Sequence, residues 1–133
     1  MNPAALDAYV CGLPRGWDYV SFNCCHFVDG WVRLNTGRSP MAVLTAPTTA
    51  LGMNRLRRKL GPTLADAVDK VFKPSMPVER ARFGDLMLLQ PWEKGKHGEV
   101  LGICTGDHVM VLMPLGAVAL ASRSYATHAW SLE

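Results

Sequence analysis

Phe22-Asn23-Cys24-Cys25-His26-Phe27-Val28 is the stretch that decides the fold, because it joins a helix start to a run of apolar positions. Asn23 is a preferred N-cap residue and Gly37 a typical stop, so the pattern predicts a helix from Cys24 to Thr36. The apolar residues recur at the spacing of a helix with one buried face. They are Cys24, Phe27, Val28, Trp31 and Leu34. The sequence therefore predicts a helix with a cysteine in its first turn.

Cys24 in that position fits two interpretations. The first turn of a helix offers unpaired backbone N–H groups and the positive end of the helix dipole, and both favour a thiolate. Cysteines in such positions can have pKa values of about 3.5–7.5, which makes them nucleophiles at neutral pH. The second interpretation is that Cys24 and Cys25 are small apolar residues where the helix enters the core.

The rest of the chain predicts helices first and strands later. The further predicted helices are Pro3–Cys11, Thr49–Leu60 and one that begins at Thr63 and ends before Pro74. The predicted strands are Leu86–Leu89, Val100–Cys104, Val109–Met113 and a last one within Tyr125–Leu132. This segregation is typical of an α+β domain with an antiparallel sheet, and residues 1–133 are predicted to form a single domain.

Composition narrows the class of protein. Of the 133 residues, 49% are hydrophobic and 19% are charged, which is typical of a globular domain. The apolar runs are too short to cross a bilayer, so we expect no membrane insertion. The N-terminus has no basic cluster of a signal peptide, so we expect synthesis in a cytoplasm. The net charge of +3 is modest and does not indicate a nucleic-acid partner.

Three segments resemble the NlpC type of papain-like cysteine peptidase. Asn23 to Val28, followed by Trp31-Val32, resembles the Asp-Cys-Ser-Gly-Phe-Val motif that begins their nucleophile helix. Arg82 to Met87 resembles the Arg-x-Gly-Asp-Leu-Val stretch that starts their sheet, and Leu101 to Gly106 resembles their His-Val-Gly-Ile-Tyr-Leu-Gly strand. The resemblance implies a papain-like fold in which N-terminal helices pack on a small C-terminal antiparallel sheet. It also implies that Cys24 occupies the nucleophile position.

The chain is more closely similar to small NlpC-like proteins of the tail modules of tailed bacteriophages. Those proteins also carry a cysteine pair at this helix start, an Arg-Arg-rich middle and an Ala-Trp near the C-terminus. Here these are Cys24-Cys25, Arg57-Arg58 and Ala129-Trp130. The resemblance implies a virion protein of the tail tip, or baseplate, with neighbouring tail proteins as its partners.

The base of an NlpC-type enzyme has no match in this chain. The family's histidine stands two residues before the glycine of the Gly-Ile pair, and that position is Val100. The following strand, Val109 to Met113, has no polar residue to orient a base. His97 and, less well, His108 are the remaining candidate bases. We therefore expect a degenerate peptidase fold with a vestigial Cys24, and the alternative is an active peptidoglycan peptidase that uses Cys24 with His97 or His108.

Partner-binding candidates come from one charge run and two aromatic residues. Arg55, Arg57 and Arg58 lie near the end of a predicted helix, where cations also complement the helix dipole. Trp92 and Trp130 are candidates for an apolar rim that meets a partner. Because adjacent cysteines diverge and no Cys-x-x-Cys pair exists, we expect no metal site and no cofactor.

Overall fold

The structure, a computed structural model, describes residues 2–13, 23–46, 49–61, 63–90, 99–113 and 117–133, without the side chains of residues 50, 53, 57 and 117. Its α-helices are α1 (Pro3–Cys11), α2 (Cys24–Thr36), α3 (Ala42–Thr45), α4 (Ala50–Leu60) and α5 (Leu64–Val71). Its strands are β1 (Leu86–Leu89), β2 (Val100–Cys104), β3 (His108–Met113), β4 (Ala117–Ser122) and β5 (Ala126–Trp130). Short 3-10 helices cover Val78–Arg80 and Arg123–Tyr125. The predicted α+β class is confirmed.

Capping residues set the bounds of α1 and α2. The Asn2 side chain accepts a hydrogen bond from the Ala5 N–H at 2.8 Å, so α1 starts where the sequence predicts. Asn23 caps α2, and Gly37 ends it with φ at 75°, a left-handed conformation that costs glycine little. Both helices have the predicted bounds, and α4 and α5 lie within the ranges predicted for them.

The strands form one antiparallel sheet in the order β4-β3-β2-β1-β5. In the register of this sheet, Leu86 lies opposite both Ile103 and Trp130, whereas Leu89 lies opposite Val100. We call the two ends of the sheet the Leu86 end and the Val100 end.

β4 is absent from the strands that the sequence predicts. Its sequence, Ala-Val-Ala-Leu-Ala-Ser, is rich in alanine, which is depleted in strands. The whole of β4 pairs with β3, from Ala117 opposite Met113 to Ser122 opposite His108. Pairing with a strong neighbouring strand therefore outweighs the weak local propensity.

The two faces of the sheet carry separate apolar clusters. On β2, Leu101 and Ile103 pack into the main core with α2, and we call this side the helical face. Val100 and Cys104 point to the opposite side and pack in the second cluster. On α2, four side chains are fully buried: Phe27, Val28, Trp31 and Val32.

Leu34 does not belong to the buried face of α2. The sequence predicts it as part of the apolar stripe, but its side chain is 62% exposed. Val32 is buried instead. Val28 and Val32 are four residues apart and share the buried face, whereas Leu34 lies on the exposed side of the helix.

Two hydrogen bonds orient α2 along the sheet. The indole Nε1 of Trp31 donates to the Gly84 carbonyl at 2.8 Å, and the Gly84 N–H donates to the Cys104 carbonyl at 2.8 Å. Trp31 therefore sits at the Leu86 end of the sheet. Thr36, one turn later, lines a cavity with Leu132, which follows β5 at the same end. Cys24 precedes Trp31 by about two turns, or roughly 10 Å along the helix.

Candidate functional site

Cys24 begins α2, as the sequence predicts, but its side chain is only 6% exposed. The neighbouring Cys25 is buried to a similar degree, at 7%. Both side chains belong to the main apolar core. The predicted nucleophile is therefore held in the helix start but offers little surface to a substrate.

Asn23 and His26 close the N-terminal end of α2 as a capping box. The Asn23 Oδ1 accepts hydrogen bonds from the backbone N–H groups of Cys25 at 2.9 Å and His26 at 3.3 Å. In return, the His26 Nδ1 accepts from the Asn23 N–H at 3.1 Å. Three backbone donors of the helix start are thus satisfied by two neutral side chains. This role of His26 has no familiar signal in the sequence, because Asn-x-x-His differs from the usual Ser/Thr-x-x-Glu/Gln pattern.

Burial holds the pKa of His26 below its ordinary value of 6.5. A hydrogen bond to the Thr45 backbone and the nearby charge of Asp29 act in the opposite direction, but burial is the larger cause. With Nδ1 accepting from the Asn23 N–H, the ring is neutral and joins the start of α2 to α3. These bonds give His26 a structural role at the helix start.

Val100 occupies the position where the resemblance predicts the catalytic histidine. Its side chain is buried on the face of the sheet opposite the helical face. It packs with Met87 and Leu89, whereas Cys24 lies in the core on the helical face. Val100 and Cys24 therefore belong to different apolar clusters, on opposite faces of the sheet.

The candidate base His108 is exposed at the Leu86 end of the sheet. It is the first residue of β3 and pairs with Ser122 of β4. Cys24, by contrast, is buried in the main core. His97, the other candidate, lies outside the described residues.

The strands directly under α2 offer apolar side chains. α2 packs on β2 and β3, whose contributions to the main core are Leu101, Ile103, Met110 and Leu112. His128 does lie on the helical face, opposite Leu88, but in β5 at the edge of the sheet. It stacks on Trp130 with ring centroids 6.0 Å apart and shares a hydrogen bond with the Thr127 hydroxyl at 2.8 Å.

Asp85 is a buried acid that the structure uses to tie segments together. Its carboxylate accepts hydrogen bonds from the backbone N–H groups of Arg82 at 2.9 Å and Leu132 at 3.2 Å. Its own carbonyl accepts from the Cys104 N–H at 2.8 Å. The Arg-x-Gly-Asp segment therefore connects β1, β2 and the residues after β5.

Trp130 is not part of an exposed rim, which corrects the expectation from the sequence. Its side chain is fully buried, and its indole Nε1 donates to the Asp69 carboxylate at 2.9 Å. The terminal strand inserts Trp130 between the sheet and α5, so the side chain is unavailable to a partner. Trp92 lies outside the described residues.

Arg55 and Arg58 are exposed on α4, as a docking role requires. The side chain of Arg57 lies outside the described residues. In the described part of the chain, no group of three or more His, Cys, Asp or Glu side chains is arranged to hold a metal ion. None of the described helices is both long and apolar enough to span a bilayer.

Comparisons with known proteins give one kind of match. A family model described as Domain of unknown function (DUF6950) matches residues 4–132, which is nearly the whole chain. No curated protein and no solved structure matches the chain significantly.

Proposed function

The chain belongs to the DUF6950 family, and we propose that it is an assembly component of a bacteriophage tail tip, built on a degenerate NlpC-like peptidase fold. One observation carries the non-catalytic part of this proposal. Cys24 heads α2 as a buried core residue, whereas the candidate base His108 is an exposed residue at the start of β3. In such a protein the helix that once carried the nucleophile only packs against the sheet, and partner proteins bind to the molecular surface.

The arrangement of elements supports an NlpC-like origin. Such a fold needs a helix that starts with cysteine, packed on an antiparallel sheet, and α2 on β2 and β3 is such a pair. The segments that carry the resemblance also meet in space. Trp31 on α2 donates to Gly84 of the Arg-x-Gly-Asp segment, and Gly84 donates to Cys104 at the end of β2.

The chemistry around Cys24 supports loss of peptidase activity. A general base contributes about 10²–10⁴-fold to such a reaction, and in a cooperative constellation the loss of one member costs nearly as much as the loss of all. The described strands beneath α2 supply aliphatic and methionine side chains, and the ring of His26 holds the helix cap. A buried thiol in this setting is suited to packing.

The assignment to a tail tip rests on the resemblance to small proteins of phage tail modules. Two of the shared pairs are core residues here: Cys24-Cys25 starts α2, and Ala129-Trp130 is fully buried in β5. Core residues at both pairs fit a protein that keeps the scaffold and not the reaction. Neighbouring tail proteins are then the partners, and peptidoglycan is a ligand only if the chain is an active peptidase.

Thiol reactivity tests the non-catalytic part. Purified full-length chain is treated with iodoacetamide near pH 6, and each cysteine is quantified by peptide mass spectrometry. We expect the exposed Cys11 to react faster than the buried Cys24, and we expect the protein not to clear peptidoglycan. A Cys24 that reacts faster than Cys11, together with clearing that is lost in Cys24→Ala and kept in Cys11→Ala, would establish the peptidase instead.

Virion composition tests the tail-tip part. Purified virions of the phage that encodes this chain are expected to contain it, and virions carrying Cys24→Ala are expected to be as infectious as those carrying Cys11→Ala. Absence of the wild-type chain from virions contradicts the assignment. A specific defect of Cys24→Ala in cell-wall penetration would return a chemical role to the thiol.

A further inference from the structure

At the Leu86 end of the sheet, four cationic side chains surround two neighbouring cavities. Arg38 follows α2 and Lys73 follows α5, while Arg80 closes a 3-10 helix and Arg82 precedes β1. These residues come from three separate segments of the chain, and Arg80 and Arg82 share one of them, so no single charge run in the sequence reveals the group. They form a basic surface only because the fold brings the segments to the Leu86 end of the sheet.

Each cavity combines a pair of cations with an aromatic wall. The first cavity has a volume of about 480 Å³ and is lined by Arg80, Arg82 and Phe83. The second has a volume of about 370 Å³ and is lined by Arg38, Lys73 and Phe72. Volumes in this range hold a few side chains or a small ligand. The two cavities share Glu133 in their linings, so they adjoin.

The acidic residues in the linings do not cancel this charge. Asp85 is 4% exposed, and both oxygens of its carboxylate accept backbone N–H groups, from Arg82 and from Leu132. Both oxygens are therefore already engaged by backbone donors, and little of the carboxylate reaches solvent. Glu133 is exposed at the junction and is the other acid among the described lining residues. Four cations thus face one solvent-exposed acidic side chain.

Lys73 is held in place on this surface. Its Nζ donates to a main-chain oxygen of Glu133, the last residue of the sequence, at 2.9 Å and lies 4.9 Å from the centroid of the Phe72 ring. A lysine fixed between this oxygen and an aromatic face loses less side-chain entropy on binding than a free one. Two donors of its ammonium group remain for an acceptor.

We propose that the two cavities form a docking surface for an acidic peptide segment of a partner protein. Carboxylates of the segment pair with Arg80 and Arg82 in the first cavity and with Arg38 and Lys73 in the second. Arginine binds a carboxylate through two parallel hydrogen bonds, and apolar side chains of the segment pack on Phe83 and Phe72. The proposal deepens the assembly role proposed above and rests on it.

A peptide fits this surface better than a nucleic acid does. Glu133 lies between the two cationic pairs, where a continuous phosphate backbone would place a charge against it. A peptide can place a neutral residue at that point and its acids on either side. Binding of an oligonucleotide is therefore an outcome that the test must include.

The first test measures affinity with a defined probe. A fluorescein-labelled peptide in which Glu, Asp and Leu alternate is titrated with the full-length chain and followed by fluorescence anisotropy. Arg80→Gln/Arg82→Gln and Arg38→Gln/Lys73→Gln are each expected to weaken binding by about tenfold, because each removes two charge-assisted pairs. Glu133→Gln is expected to strengthen it.

The matched control removes the same charge from the other exposed basic surface. Arg55→Gln/Arg58→Gln on α4 is expected to change the affinity by less than about twofold, since neither side chain lines either of the two cavities described above. Equal weakening by the α4 variant and the cavity variants overturns the proposal, because the attraction is then generic. Absence of peptide binding overturns it too, and so does tighter binding of a single-stranded oligonucleotide of equal charge.

The second test separates this surface from the tail-tip assignment. We expect virions to lack the Arg80→Glu/Arg82→Glu chain and to contain the Arg55→Glu/Arg58→Glu chain, with thermal unfolding used to confirm that both variants fold. If virions contain both variants at the wild-type level, the docking surface is wrong and the tail-tip assignment stands. If virions lack even the wild-type chain, the tail-tip assignment fails, and the peptide titration still decides the docking surface.

Discussion

At its N-terminal end, α2 buries Cys24 and closes with a capping box of Asn23 and His26, whereas beyond its C-terminal end Arg38 lines an open cavity with Lys73. The N-terminal end satisfies its polar groups internally with neutral side chains. The C-terminal end leaves cations at a concave surface. The same helix thus connects a region built for packing with a region suited to binding.

This difference shows that favourable local electrostatics alone is not enough to form a catalytic or binding site. A helix start favours a thiolate, but the thiol also needs a substrate-accessible face and a base within reach. Cys24 has the favourable backbone and little exposed surface. The cations at the other end have no special local signal, yet they face solvent together around a volume that a ligand can enter.

Trp31 anchors α2 between these regions, so its removal has the largest expected effect. Trp31→Ala deletes a fully buried indole, and we expect a loss of about 3–5 kcal/mol in the free energy of unfolding. Trp31→Phe keeps part of the packing but leaves the Gly84 carbonyl without its donor, at a cost of about 1–3 kcal/mol. Urea unfolding followed by circular dichroism measures both. A loss below about 1 kcal/mol in Trp31→Ala would show that α2 is anchored elsewhere.

Asn23→Ala tests how much the capping box stabilises the N-terminal end of α2. The variant leaves the backbone N–H groups of Cys25 and His26 without the Asn23 acceptor, and we expect a loss of about 1 kcal/mol in unfolding free energy. The control is Arg80→Gln/Arg82→Gln, which changes exposed side chains and is expected to stay within about 0.5 kcal/mol of the wild type. An equal loss in both variants would remove the distinction between a packing end and a binding end.

His26 gives the smallest expected effect, a pH dependence. Because its pKa in the folded chain lies below 6.5, the unfolded chain binds the proton more readily. The stabilising contribution is therefore complete above about pH 6.5 and is lost as the pH falls below it. His26→Gln keeps a side chain suited to a capping box and cannot titrate.

Urea unfolding of wild type and His26→Gln at a series of pH values measures this contribution. The wild-type chain is expected to lose stability relative to His26→Gln on going from about pH 7.5 to about pH 5. A difference that stays constant, or a wild type that gains relative stability in acid, would contradict a lowered pKa of His26.

Much of the fold could be predicted where one element carries its own signal. Asn2 with Pro3 and Asn23 with Gly37 define α1 and α2 because caps and stops act within a few residues. The three strongest strands follow from their β-branched and aliphatic runs. β4 could not be predicted in this way, because its alanine-rich sequence becomes a strand by pairing with β3.

The candidate site could be predicted only in part. The sequence places Cys24 at the start of α2, and the structure agrees. It also suggests Trp130 for a rim, but the final strand inserts that indole into the core, where it meets Asp69. The partner of a buried polar group comes from a distant segment, so its burial has no local signal.

The sequence by itself determined the α+β fold class, the bounds of α1 and α2 and the position of a cysteine at the start of α2. It could do so because capping and periodicity act over one or two turns. Only the tertiary structure decided that Val100 faces away from Cys24, since the register of β2 sets which side each residue occupies. It also brought Arg38, Lys73, Arg80 and Arg82 to one end. Charges from separate segments become a surface only when packing of α2, α5 and the sheet places those segments side by side.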